Sequence, residues 1–139
     1  MSEQANVALV LKLYEAFGRG DIQTILSHVD ANTVWEVEAP ASVPYSGVTK
    51  GVEGATKFFK AIGETMDEIG LDMAPFAAQG DNVVTAGRYK ARIKATGRRI
   101  DVPLVHLWTI RNGKVTLYQN MSDTGAIAEA YSASAAKAR

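Results

Sequence analysis

Three side chains in this sequence could exchange a proton with a small molecule in an apolar setting: Tyr14, Glu36 and His106. Tyr14 belongs to a stripe of Val7, Val10, Leu11, Tyr14 and Phe17 at three- and four-residue steps, so its ring faces a core. It is either a core aromatic whose hydroxyl finds one partner or a hydrogen-bond donor to an oxyanion. Glu36 lies in Val34-Trp35-Glu36-Val37-Glu38. Strict alternation puts both carboxylates on one strand face and Trp35 and Val37 on the other. One reading is a pair of exposed carboxylates on an edge strand. The other is a carboxylate in an apolar cavity, where desolvation raises its pKa and makes it a better base near neutrality. His106 is in line with Leu104, Trp108 and Ile110. A lone histidine on such a face is either a satisfied core residue or a group that titrates near neutral pH.

Other chemistries lack their residues. Arg88 alternates with Lys90, Arg92 and Lys94, the pattern of a solvated face, and Asp123 is a helix cap before it is a site residue. Two histidines, His28 and His106, stand most of the chain apart and form no recognisable metal cluster. There is no Gly-x-Ser-x-Gly, no P-loop and no dinucleotide fingerprint, and no cofactor is expected. The absence of cysteine excludes disulfides, cysteine-ligated zinc and thiol catalysis. Lys+Arg and Asp+Glu number 15 each, so charge gives no reason to expect nucleic acid or an anionic membrane as partner. No apolar run approaches the roughly 20 residues of a membrane helix. Met1-Ser2-Glu3-Gln4 lacks the basic start and apolar stretch of a secretory signal, so the expected location is the cytoplasm.

These residues must be held by a frame, and 139 residues fit one domain, 1–139. Ser2 can cap a first helix that Gly18 and Gly20 stop. Asp21 caps a short second helix with Ile22, Ile25, Leu26 and Val29 inward. A strand over 34–38 follows, then a loop over 39–50 punctuated by Pro40, Pro44, Ser46 and Gly47. A third helix is expected over 52–68, burying Ala55, Phe58, Phe59, Ile62 and Met66 and ending at Gly70. Beyond 71, three turn signals divide four strands: Gly80-Asp81-Asn82, Thr96-Gly97-Arg98 and Asn112-Gly113. The strand over 100–111 is apolar on both faces, as in a central strand. Asp123 can cap a last short helix, and the Ala/Ser-rich tail after Tyr131 is expected to fray. Helices followed by a run of strands argue α+β. A curved, mostly antiparallel sheet around N-terminal helices leaves a cone whose interior is filled or binds something.

The chain resembles the NTF2-like superfamily, in its SnoaL-like and ketosteroid-isomerase-like branch. The resemblance rests on Leu13-Tyr14-Glu15-Ala16-Phe17 with Gly20-Asp21, on Thr33-Val34-Trp35-Glu36, on Pro44-Tyr45-Ser46-Gly47 with Gly51 before Phe58-Phe59, on Val105-His106-Leu107-Trp108 before Asn112-Gly113-Lys114-Val115, and on Asp123-Thr124. It implies the cone-shaped roll. It also implies an oxyanion donor at Tyr14, a general base at Glu36 where the isomerases carry an aspartate, and a second polar group at His106. Where SnoaL-type cyclases use an aspartate on the last strand, this chain has Asn120, which cannot transfer a proton. The residues expected to line the pocket are Trp35, Tyr45, Phe59, Trp108 and Asn120. The implied activity is cofactor-independent proton abstraction next to a carbonyl on a small apolar molecule, isomerase- or cyclase-like. The alternative is a non-catalytic module that binds a small hydrophobic ligand. A homodimer through the sheet is expected with either.

Overall fold

A computed structural model of the protein describes residues 2–132. The first helix, α1 (Glu3–Gly18), starts where Ser2 accepts a hydrogen bond from the Ala5 N–H, at 3.0 Å. It ends in a turn through Gly20 at φ +75°. Asp21 caps α2 (Ile22–Leu26) through the Thr24 N–H. The buried stripe of α1 runs through Asn6, Val10, Leu13 and Ala16, so Leu11 is not on it: its side is 42% exposed. The core side lies slightly around the helix from the expected stripe, and Leu13 takes the place given to Leu11.

The strand expected over 34–38 is longer, β1 (Val29–Val37), and the loop expected over 39–50 contains a short edge strand, β2 (Gly47–Lys50). The third helix, α3 (Gly51–Thr65), ends earlier than expected. Met66 is already extended and opens β3 (Met66–Gln79), so Gly70 lies inside a strand and does not stop a helix. Met66 is nevertheless buried, which explains why it matched the helical stripe. Three hairpins then join β3 to β4 (Asn82–Ile93), β5 (Arg99–Arg111) and β6 (Lys114–Ser122). At the last turn Asn112 and Gly113 have φ of +51° and +73°, the two positive values that a type I′ turn requires. The final helix, α4 (Thr124–Ser132), is capped by Asp123 through the Ala126 N–H. Of the tail after Tyr131, residues 133–139 lie outside the described residues.

The six strands form one sheet in the order β2-β1-β6-β5-β4-β3, antiparallel throughout except where β1 runs parallel to β6. Helices α1 and α3 cover its inner face, and the sheet curves around them. Two devices produce the curvature. The β3–β4 register shifts twice, and Gly87 on β4 passes so close to β3 that a Cβ there would stand 1.9 Å from the Asp72 carbonyl oxygen. Only a glycine allows that approach. In β5 every second residue from Ile100 to Ile110 is buried. Its other face, and those of β4 and β6, carry partly exposed Val84, Val105 and Met121 alongside the Arg88–Asp101 pair at 2.7 Å. Arg88 therefore lies on the solvated face, as its alternation implied. This is an α+β roll of the NTF2-like type.

Candidate functional site

The site grows out of two rows of side chains that cross the sheet's inner face. Strand registry places Trp35, Tyr118, Trp108 and Val83 side by side on β1, β6, β5 and β4. The next row is Val37, Asn120, His106 and Thr85. Trp35 and Tyr118 stack, with centroids 4.2 Å apart. Above these rows, α1 supplies Leu13, Tyr14 and Phe17, and α3 supplies Phe58, Phe59 and Ile62. Together they enclose a cavity of about 50 Å³. One water needs roughly 10–15 Å³ of such space, so it holds a few water-sized groups before side chains move. Tyr14, Phe17, Phe59 and Leu71 are its partly exposed lining, and the last three, all apolar, lie on its solvent side.

Five side chains on the lining, Trp108, Tyr14, His106, Tyr118 and Asn120, form one continuous hydrogen-bonded chain. Trp108 Nε1 donates to the Tyr14 hydroxyl at 3.1 Å, and that hydroxyl meets His106 Nδ1. On the other side of the ring, His106 Nε2 meets the Tyr118 hydroxyl at 2.9 Å, and Asn120 Nδ2 donates to Tyr118 at 2.8 Å. Burial pushes His106 down to about 3, so the imidazole is neutral near pH 7. Burial also raises the phenols of Tyr14 and Tyr118 above their ordinary value. Among the described residues, no aspartate, glutamate, lysine or arginine lines the cavity. The chain is uncharged and can donate to, or accept from, a neutral oxygen. Two further polar atoms on the lining, Trp35 Nε1 and the Tyr45 hydroxyl, are buried without a hydrogen-bond partner.

Tyr14 and His106, expected from the sequence, are thus brought into direct contact, and Trp35, Tyr45, Phe59, Trp108 and Asn120 all line the same cavity. Glu36 is a correction. The alternation that sends Trp35 inward sends Glu36 to the outer face, where its carboxylate accepts from Gln119 Nε2 at 2.9 Å. It is not among the residues that line the cavity. Sequence reasoning missed Tyr118. Counting in twos from the inward Val115 assigns Tyr118 to the outer face. The β5–β6 register shifts there, pairing Ile110 with Val115 but Thr109 with Leu117. Thr116 is the extra residue, and this bulge turns Tyr118 and Asn120 inward. The signal was the spacing of two between Tyr118 and Asn120, a residue already expected in the pocket, which puts both on one strand face.

Among the described residues, no group of three or more histidine, aspartate or glutamate side chains is placed to hold a metal ion. No described helix is long and apolar enough to cross a membrane.

Comparison with known proteins agrees with the fold. An NTF2-like protein from Burkholderia xenovorans is 32% identical, with a TM-score of 0.82 over 94% of this chain and 98% of its own. A second NTF2-like protein, from Burkholderia thailandensis, superposes with a TM-score of 0.83 at 23% identity, covering 94% of this chain and 98% of that one. TerC, co-crystallized with polyporic acid, is 27% identical with a TM-score of 0.79, covering 91% of this chain and 98% of its own. None of the curated proteins compared with the sequence matches it. The model of the SnoaL-like domain matches residues 10–118, from the helix that carries Tyr14 to the strand that carries Tyr118, and the chain belongs to that family.

Proposed function

We propose that the protein is a small-molecule enzyme that binds a flat, apolar carbonyl compound in this cavity and shifts a proton on it without a cofactor. The observation that carries this reading is the uncharged chain Trp108–Tyr14–His106–Tyr118–Asn120 set into an otherwise apolar wall. Preorganised donors in a dry site stabilise a developing enolate oxygen far better than water does, by several kcal/mol. With Glu36 on the outer face, no carboxylate serves as base. Proton acceptance falls to the phenols, backed by the His106 imidazole. The structural likeness to TerC, crystallized with polyporic acid, supports a ligand with flat rings and oxygen substituents. A ligand of that size requires Phe17, Phe59 and Leu71 to turn outward on the solvent side.

Deuterium exchange tests the reading. Enolisable ketones incubated with the protein in D2O should exchange the hydrogen next to the carbonyl, and Tyr14→Phe should slow that exchange by about 10²-fold, the scale of losing one oxyanion donor. Ketones that bind without exchanging would refute catalysis and leave the second reading, a non-catalytic binding module. The lack of any lining carboxylate favours that second reading. Under either, the homodimer expected through the sheet would cover Val84, Val105 and Met121 on the outer face. A mass that stays at one chain at high concentration would refute the dimer.

A further inference from the structure

Hydrogen-bond accounting along the buried chain leaves one proton over. The Trp108 and Asn120 N–H groups can only donate, and each occupies one lone pair of a phenol, on Tyr14 and Tyr118 respectively. The two contacts that remain, Tyr14 with Nδ1 and Tyr118 with Nε2, need two protons. Three are available: one on each phenol and one on the neutral ring. The ring proton is always used. When it sits on Nδ1 it is donated to Tyr14, Tyr118 donates to Nε2, and the Tyr14 hydroxyl proton is free to point into the cavity. When it sits on Nε2 everything reverses, and the free proton belongs to Tyr118. The flanking donors make the two arrangements near mirror images, so neither leaves a ring nitrogen unpaired.

Building on the carbonyl-binding reading above, we propose that Tyr14, His106 and Tyr118 are a reversible proton wire, in which Tyr118 is a second catalytic residue and His106 positions and couples the two phenols. The substrate class is an enolisable hydroxy-carbonyl or 1,3-dicarbonyl compound that spans both phenols. In the forward step the substrate O–H or activated C–H bond breaks at Tyr118, whose oxygen takes that proton and gives its own to Nε2. Nδ1 gives its proton to the Tyr14 oxygen, which gives its own to the substrate carbonyl oxygen. The substrate's conjugated electrons shift to match, the protein stays neutral, and no oxidant or reductant is used. After product release, water bridging the two phenols runs the wire backward and resets the ring. An acid or base is therefore not required in the cavity, which accounts for an asparagine at 120 beside a titratable pair.

The ring nitrogens report the wire directly. Nitrogen-15 NMR of histidine-labelled protein distinguishes the two neutral tautomers, and cyclohexenone is an acceptor-only probe, with cyclohexene as its apolar control. In Tyr118→Phe, cyclohexenone that accepts from the Tyr14 hydroxyl needs the ring proton on Nδ1, so the Nδ1–H form should rise about tenfold over the ligand-free ratio, the net worth of one buried hydrogen bond. In Tyr14→Phe it should move the ratio as far toward Nε2–H, while cyclohexene moves neither. A doubly protonated ring at neutral pH, or a ratio that cyclohexenone leaves unmoved although thermal stabilisation shows it bound, would overturn the wire. If cyclohexenone fails to bind, the carbonyl-binding reading falls alone. The wire is then judged by Asn120→Asp at alkaline pH, which sets a permanent acceptor beside Tyr118 and must drive the ring to Nε2–H. An unchanged ratio there overturns the proposal.

Discussion

The indole nitrogen of Trp108 stands 3.1 Å from the Tyr14 hydroxyl, joining opposite walls of the cavity, β5 to α1. The contact fixes a phenol that enters from a helix against a sheet that carries every other member of the hydrogen-bonded chain. Trp108→Phe keeps an aromatic ring and removes the donor. The expected cost is about 1 kcal/mol, the net value of a hydrogen bond, read as a lower urea midpoint. Tyr14→Phe should cost more, about 2 kcal/mol, because it strands the Trp108 N–H and a ring nitrogen of His106 in a buried site.

Acid should destabilise the fold through His106. Its folded pKa is pushed down to about 3, while the unfolded value is near 6.5. Between those limits the unfolded chain binds the extra proton, so stability falls as pH falls through this window and is flat above it. The slope contributed by this one group approaches about 1.4 kcal/mol per pH unit below 6.5. Urea titrations of the natural protein and of His106→Gln, run from neutral to mildly acid pH, should show a shallower decline in the variant. Parallel curves would mean that His106 is not buried as a neutral ring.

Glu36→Gln should leave ligand binding and proton exchange untouched. The carboxylate meets Gln119 on the outer face, and such a substitution shifts stability by only about 0.5 kcal/mol. A variant that still binds but has lost exchange would return Glu36 to the machinery.

Gly87→Ala is expected to be severe, costing about 3 kcal/mol or more, since a Cβ would strike the Asp72 carbonyl. The measurement is soluble yield together with the thermal midpoint. Gly63→Ala is the control: nothing lies within 4 Å of its added Cβ, and it sits on the exposed side of α3. It should raise the midpoint slightly, through helix propensity.

Much of the frame was legible because its signals are local. Caps at Ser2, Asp21 and Asp123, the Asn112-Gly113 turn, and the alternation of β4 all act within a few residues, whereas β5, read as apolar on both faces, buries only one. What escaped depends on distant partners. Edge strand β2 exists because β1 pairs with it, and nothing in Gly47-Val48-Thr49-Lys50 declares this alone. Met66 satisfies the helical stripe and the strand equally, and the pairing with Ile93 decides for the strand. For the site, Tyr14 and His106 stood out as polar groups on apolar faces. Tyr118 did not, although it lies two residues from Asn120, already expected in the pocket, and so shares its strand face. Glu36 was placed by its likeness to a family position, whereas its own alternation with Trp35 pointed outward.

The parallel pairing of β1 with β6 has a consequence for how the molecule is made. Residues 29–37 find their neighbours at 115–120, so the contact that closes the wall behind Tyr118 spans about eighty residues of chain. Contacts of such long sequence separation form late and slowly. During synthesis α1, α2 and β1 must wait for nearly the whole remaining chain before Trp35 can stack on Tyr118. Until then β1, although α3 already packs on it, keeps one edge without its β6 neighbour, and an unpaired strand edge is prone to aggregate. The same pairing makes the N-terminal and C-terminal segments natural halves for a split protein whose reassembly rebuilds the cavity.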